Sequence, residues 1–567
     1  MRRKPPEFTS RWLIQGQLKT LAPLHLGHGG WFACMVRQDE REPEVQVRAV
    51  CKDVQGKPFI PGSAIKGALR QRLERDPAAL RGDPIAELLG TRVVENPKDT
   101  NDQPTLITCG GQAEFWDAQF LNGPAPFPAG AEPPCWCADA LTGIAAGVAI
   151  ERRTRTAEEN KLFFAEFVPA GVTFQVTIAG QNLTDAQVGS LLAALSVFND
   201  PAEGIRLGSG VAHGWGKCEW VESTVRVFRM GSGQVAAWLN NPANPANAGW
   251  AALPEQLTGT QVEQLRSQAL PRVRPPRLVL DLKLQFTSPL LVNDPSKARA
   301  RQAEGNNEPG EDEFHMVAQQ TPDGRVLLPG SSVHGVFRSR AEMILRTIIG
   351  AGGRSVDEAV PPPDVARQVK KTGEVDRLPT MDRLFGVSGW RSSIRFSEFV
   401  GGFRDPSDPA VPQEQLRCTN HDQEFVAIDR FTGGVSGGGK FRARAALNPE
   451  LHGTLVLELG RLESCCALPA AAGLLALVFR DSIEGDLTFG MGASKGFGQC
   501  RVVITGARLT PGAPLPGTCP PPARAALEAG NVPTLDDGLR DWLRELVATL
   551  RERPDLRSLA TPTQSNP

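Results

Sequence analysis

Three short motifs occur twice, in the same order, within the 567 residues of this chain. The first set is Pro61-Gly62-Ser63-Ala64-Ile65-Lys66-Gly67-Ala68-Leu69-Arg70, then Ala149-Ile150-Glu151-Arg152-Arg153-Thr154, then the glycine loop from Gly208 to Cys218. The second is Pro329-Gly330-Ser331-Ser332-Val333-His334-Gly335-Val336-Phe337-Arg338, then Ala427-Ile428-Asp429-Arg430-Phe431-Thr432, then the loop from Gly490 to Cys500. Both loops read G-x-G-x-x-x-G-x-G-x-C. The period far exceeds the roughly 20–50 residues of solenoid and propeller repeats, so a whole domain is duplicated in tandem.

Composition narrows the class. Hydrophobic residues at 41% and charged residues at 22% are ordinary for a soluble protein. A net charge of -1 argues against a chain that coats nucleic acid over its whole surface, yet 62 Lys and Arg leave room for a local basic groove. Arg152-Arg153-Thr154-Arg155 shows such segregation, although a solvated charged face is the commoner meaning of one run. The basic start Met1-Arg2-Arg3-Lys4 has no apolar stretch behind it, so no secretory signal is expected. No apolar run approaches the roughly 20 residues of a membrane helix. Eleven cysteines, an odd number, fit reduced thiols in a cytoplasmic protein. Tyr is absent, which leaves Phe, Trp and His as the rings available for stacking.

The patterning predicts an α+β fold. Leu278, Leu280, Leu282, Leu284 and Phe286 alternate with other residues as in a strand, and Trp12, Ile14 and Leu18 form a weaker counterpart. Ser63 and Ser331 are placed to cap the helices that follow. Ile65, Leu69 and Leu73 share one face of the first helix, and Val333, Phe337, Met343 and Ile344 do similar work in the second. A later helix around Leu191, Leu192 and Leu195, or Leu474 to Val478, precedes each glycine loop, and a last strand follows it (Glu219 to Phe228, Arg501 to Thr505). This β-α-β-β-α-β order predicts two tandem ferredoxin-like (RRM-like) domains with large insertions. They span residues 1–228 and 276–508, with a linker at 229–275 around Asn240 to Asn247 and a helical or disordered tail at 509–567.

The ordered motifs resemble those of the RAMP superfamily of CRISPR-associated proteins, and among them the backbone subunits of type III effector complexes. The resemblance covers residues 10–230 and 276–506. It implies two fused backbone subunits lying side by side on a guide RNA, with a complementary target RNA paired to it. Other RAMP subunits and a large subunit are the implied neighbours. A guide-processing endoribonuclease is a less favoured implication of the same superfamily.

Each motif suits RNA. Glycines let a backbone approach phosphates and turn N–H groups toward them, which makes Gly208, Gly210, Gly214, Gly216, Gly490, Gly492, Gly496 and Gly498 candidate contacts; a plain tight turn is the alternative. Lys66 and Arg70 share a helix face near its N-terminus, where phosphate is favoured. His334 replaces the lysine in the second copy, beside Arg338. Arg152 and Arg430 are open to two readings, phosphate contact or an ion pair with Glu151 and Asp429. By resemblance, cleaving members place an acid upstream of the Pro-Gly-Ser motif, where it promotes metal-dependent attack of a ribose 2′-hydroxyl. Asp312 is the first choice here and Asp294 the alternative, with a divalent metal, Mg, as cofactor. In the first copy the place falls near Val47, with Glu44 and Asp39 the nearest acids. Cys109, Cys135 and Cys137 supply three of four ligands for a structural zinc, against a reading as plain thiols; Cys418 and His421 form a weaker pair. No P-loop, dinucleotide fingerprint or Ser/His/Asp triad is visible.

Overall fold

A computed structural model describes residues 9–34, 45–73, 84–95, 105–124, 136–151, 156–200, 204–211, 214–234, 255–270, 276–294, 314–321, 324–352, 378–387, 390–401, 420–463 and 467–552. Two mixed α+β units follow one another, each with its own hydrophobic core.

In the first unit the strand Ser10–Thr20 lies between Thr173–Gln181 and Cys218–Gly231, antiparallel to both. In the second, Arg277–Phe286 lies between Glu450–Glu458 and Gln499–Leu509 in the same way. Both last strands slip register against the first strand, at Gln15/Gln17 and at Asp281/Leu282. An interrupted edge strand closes the other side of each sheet: Ala113–Phe115 and Gln119–Asn122 both run antiparallel to Thr173–Gln181, and Ile394–Phe396 and Phe399–Gly401 both run antiparallel to Glu450–Glu458. The strand order, fourth-first-third-second, is compatible with the ferredoxin-like arrangement expected above.

Helices cover one face of each sheet because their apolar residues recur every three or four positions. Ile65, Leu69 and Leu73 of Gly62–Leu73 and Leu191, Leu192 and Leu195 of Asp185–Ser196 enter the first core. Val333, Phe337, Ala341 and Leu345 of Gly330–Ala351 and Leu474, Leu475 and Val478 of Leu468–Glu484 enter the second. Met343, expected on that face, is exposed, and Ala341 and Leu345 take the inward positions.

The expected serine caps are also replaced. Both Pro-Gly-Ser helices begin at the glycine, so Ser63 and Ser331 lie inside the first turn. The open Gly62 N–H donates instead to Asp117 Oδ1 at 2.8 Å, a cap from the break in the edge strand. A side chain at Gly62 would strike the Phe115 carbonyl, so the helix start and the edge strand are fitted together.

A second, smaller sheet accompanies each unit. Val45–Val50 runs parallel to Thr156–Phe167, which pairs with Gly143–Glu151. In the second unit Met316–Val317 runs parallel to Val435–Ala446, which pairs with Asn420–Ile428.

The segments expected as linker and tail contain packed helices. Gly259–Ser267, capped by Thr258 and Gln261, lies on Asp185–Ser196; Asp537–Glu552 lies on Leu468–Glu484 through Leu546 and Leu550. Each contact passes over a glycine. A Cβ at Gly189 would come within 2.0 Å of the Leu265 carbonyl oxygen, and one at Gly473 within 2.3 Å of that of Leu546. The duplicated unit therefore includes a helix beyond its last strand.

Gly→Ala inside a helix ordinarily stabilises by about 0.5–1 kcal/mol. At Gly189 and Gly473 the sign should reverse, because the new methyl group meets backbone; losses of about 1–3 kcal/mol are expected. Gly67, with open space around it, supplies the control that should stabilise. Thermal unfolding of the three RNA-free variants measures this, and three increases of similar size would disprove the helix crossings.

Candidate functional site

The two glycine loops have one backbone conformation. All eight glycines have positive φ: 75°, 73°, 100° and 78° in the first loop and 80°, 82°, 83° and 78° in the second. Equivalent hydrogen bonds recur. Ser209 N–H donates to the His25 carbonyl at 3.0 Å and Met491 N–H to that of Leu291 at 2.7 Å. Gly216 and Gly498 donate to Pro23 and Pro289, both at 2.8 Å. A Cβ at Gly208 would stand 2.2 Å from the His25 oxygen, so this position requires glycine for space as well as for φ. Cys218 and Cys500, behind the loops, are buried thiols pushed up to about 12 by desolvation, which makes them inert packing groups.

Surroundings distinguish the loops. In the second, Gly490, Met491 and residues 493–496 are exposed. Lys495 Nζ lies 4.7 Å and 4.8 Å from the ring centres of Phe425 and Phe441, and Phe497 packs on Phe425 and His421. The loop thus adjoins the base of the hairpin Asn420–Ile428/Val435–Ala446. The hairpin tip is the middle motif. Asp429 Oδ1 accepts from the N–H groups of Phe431 and Thr432 at 2.9 and 2.8 Å, and these bonds hold its carboxyl below the usual range. Arg430, Phe431 and Thr432 are exposed around this turn, together with Val426, Ile428 and Val435.

The first loop is covered by the second unit. Gly214 is buried, and a Cβ there would come within 2.9 Å of the Glu398 N atom, in the break between Ile394–Phe396 and Phe399–Gly401 of the edge strand. Arg206 donates to the Gly214 carbonyl at 2.7 Å. Arg206 and Lys217 face Glu398 electrostatically. Burial pushes the Glu398 carboxyl up to about 7, against the downward pull of Arg206 and Lys217. Burial likewise lowers Arg395, followed by repulsion from Arg206 and Arg277.

Several expected contacts have other work. Arg70 donates to the Leu89 and Gly90 carbonyls at 2.6 and 2.9 Å, and Arg338 to the Gly386 carbonyl at 2.7 Å and Asp382 at 3.2 Å. Both arginines therefore fasten the following helix end in place. His334 is no phosphate ligand on this geometry: it is buried, edge-on to Phe385 and Phe396 and 3.4 Å from Ser392 Oγ. Lys66 remains half-buried on the helix surface; burial and then Arg70 lower its pKa, so a bound anion would favour its charged form. Asp294 is only 7% exposed, which suits a carboxylate inside the fold better than one reaching a scissile bond.

Asp312, Arg152 and Cys135 lie outside the described residues, as do Glu44, Asp39 and Cys418. The strand that Asp312 leads into is described. Phe314 lies under Arg442 and Arg444, at 5.0 and 4.0 Å, and Arg444 is held by Asp422 through two 2.8 Å bonds. His315 exchanges hydrogen bonds with the Arg442 backbone. In the first unit Val47 and Phe164 occupy the places of His315 and Arg442. There Glu166 is buried, bound to Lys52 at 2.5 Å, Thr142 at 2.7 Å and the Val50 N–H at 3.0 Å. The arginine pair over Phe314 is particular to the second unit, whereas the first places Lys52 on Glu166 and Arg48 over Trp31 and Phe163.

For metals, Asp481, Glu484 and Asp486 are the described acids with ligand atoms within 4.8 Å of one another, but Arg340 and Arg480 already pair with them. Cys137 is exposed, and the thiol of Cys34 is raised by burial, then Glu166, then Cys137. Cys34 thus joins the neighbourhood of the expected zinc ligands, a residue that linear spacing did not suggest.

Glu398 generates a pH prediction. Its folded pKa of about 7 exceeds the ordinary 4.5, so the folded chain holds a proton that the unfolded chain releases. That contribution is complete below about 4.5 and is lost as pH rises through 7. The melting temperature of Glu398→Gln, relative to wild type, should therefore rise between pH 4.5 and pH 8. A pH-independent difference would remove the buried carboxyl from the joint.

Among known families, the model of the RAMP superfamily matches residues 17–219 and 283–501. No curated protein matches the chain. The two matched regions contain both glycine loops, both Pro-Gly-Ser helices and both hairpin motifs, and together they cover most of the sequence. The chain belongs to the RAMP superfamily, with one RAMP region in each half.

Proposed function

We propose that this protein is a guide-RNA-binding backbone subunit of a type III CRISPR effector complex and that its second unit cuts target RNA paired to the guide. RAMP membership suggests a CRISPR-associated role, with RNA and other complex subunits as partners. The observation that carries the reading is the open second loop beside the base of a hairpin whose tip is exposed. Backbone N–H groups and Lys495 offer contacts to phosphates, while Arg430 and Phe431 offer a cation and an aromatic face to bases. Such contacts are largely indifferent to sequence, as a subunit serving many guides requires.

Cleavage is assigned to Asp312. Attack of the 2′-oxygen on the adjacent phosphorus expels the 5′-oxygen of the next nucleotide and leaves a 2′,3′-cyclic phosphate and a 5′-hydroxyl. Asp312 would orient the reacting ribose or its metal, and Arg442 and Arg444 would draw the phosphate toward that segment. A divalent ion would supply charge stabilisation at the phosphate. The burial of Asp294 favours a second reading, a subunit that binds guide without cutting, should Asp312 prove inert.

Guide binding should weaken steeply with salt, and Lys495→Ala with Arg430→Ala should flatten the salt slope by about one unit for each phosphate left without its cation. Phe431→Ala should cost about 1–3 kcal/mol if a base stacks on it. Asp312→Ala should abolish one cut while leaving both affinities unchanged, and a 2′-deoxy ribose at that cut should have the same effect. Normal cutting by Asp312→Ala would leave the non-cleaving subunit as the better reading; binding unaffected by salt and by all three side chains would remove RNA altogether.

A further inference from the structure

The chain contains one completed joint between RAMP units and two halves of the same joint left open. In the completed joint, the glycine loop of the first unit rests on the edge-strand break Ser397-Glu398 of the second. The tail half is the second unit's own loop. Gly496, the counterpart of buried Gly214, is exposed with open space around it. The head half is the first unit's own edge-strand break. Trp116 N–H donates to the Thr177 carbonyl at 3.2 Å as Ser397 N–H donates to that of Thr454 at 2.9 Å, which makes Trp116-Asp117 the counterpart of Ser397-Glu398. Phe115 pairs with Ile178 as Phe396 pairs with Leu455, fixing the same register.

The head is uncovered and distinctive. Trp116 is 43% exposed, and Glu114 and Asp117 are exposed beside it. The indole offers an aromatic anchor and the two acids offer negative charge to a partner. Its polarity matches a loop like the first one, where Arg206 and Lys217 flank the glycines as a cross-strand pair and face Glu398. The chain's own tail lacks that pair: Thr488 and Gln499 occupy the places of Arg206 and Lys217, paired in the same register.

We propose that the Trp116-Asp117 break in the edge strand is a docking site for the cation-flanked glycine loop of a RAMP unit on a different chain, and that the neutral flanks Thr488 and Gln499 prevent a second copy of this chain from occupying it. This rests on the backbone reading above, since only an assembly of RAMP units supplies such a loop. The contact is head-to-tail, so a self-complementary chain would grow without closing. Removing the cations from one end limits that growth, because charge complementarity selects the partner more than it adds raw affinity.

The test grafts the missing cations onto the full-length chain, after nuclease treatment, and follows mass by analytical ultracentrifugation. Wild type should remain monomeric. Thr488→Arg with Gln499→Lys should self-associate into open-ended species, and adding Trp116→Ala with Asp117→Asn should weaken that association by at least about tenfold. Asn retains an oxygen for the Gly62 N–H, so the helix cap is kept. A grafted chain with its head blocked by these two changes should bind wild type at one to one. Should the double graft fail to melt cooperatively, Gln499→Lys alone, on an exposed side chain, makes the same test with a weaker expected effect. Grafted chains that stay monomeric, or associate regardless of Trp116 and Asp117, would overturn the proposal. Wild-type chains that associate through Trp116 would overturn the exclusion of self. No RNA is present in any arm, so failure of guide binding and failure of the joint are read separately.

Discussion

Both units depend on a backbone-on-backbone approach that no Cβ can enter. The loop after the second helix of each unit turns through left-handed conformations and lays its chain on the residues following the first strand. Those contacts join the start of the sheet to its last strand, because Gly216 and Gly498 lead directly into that strand. They also turn the outer edge of the loop away from the core. A conformation required for closing the fold thereby leaves N–H groups at the surface, where an anion or a neighbouring unit can meet them.

What lies against that outer edge decides its use. In the first unit it is protein: one carboxylate, Glu398, beside Arg206 and Lys217. Burial outweighs the attraction of the two cations, so this cluster adds little to affinity and much to orientation, since a displaced unit would leave Arg206 and Lys217 facing one another without their carboxylate. In the second unit the edge is open and adjoins the hairpin with Arg430 and Phe431 at its tip. Identical loops therefore have unlike tasks, one setting the angle between units and the other presenting a surface.

The parts legible in sequence were those fixed by local stereochemistry. Repeated glycines announced the loops because φ near 80° excludes other residues, and apolar periodicity announced the core helices. What escaped were tertiary substitutions for local rules. Ser63 is a good cap by sequence, but Asp117, 55 residues from Gly62, reaches the open N–H first. Arg70 and Arg338 stand four positions past Lys66 and His334, a spacing that suits a phosphate face, yet carbonyls at the end of the next helix take them. His334 substitutes for a lysine and turns inward among Phe385, Phe396 and Ser392, so one motif position serves surface in one copy and core in the other. The middle motif was legible as a pattern, whereas its position at a hairpin tip depended on the pairing of Asn420–Ile428 with Val435–Ala446, which the glycine-rich second strand does not announce by alternation.

Tandem fusion also changes what selection can act on. When two like units are separate chains, the surface that joins them must suit every neighbour alike. Once they share a chain, the inner joint is made at high effective concentration and needs little intrinsic affinity. Its residues are then free to diverge from those at the outer ends. The pairs Arg206/Thr488 and Lys217/Gln499 are that divergence, at sites where backbone geometry is the same and only charge differs. The edge-strand residues differ in parallel, Trp116-Asp117 in the first unit against Ser397-Glu398 in the second. On the docking proposed above, an indole suits the position that must find its partner by collision, and a serine suffices at the position whose partner is already tethered.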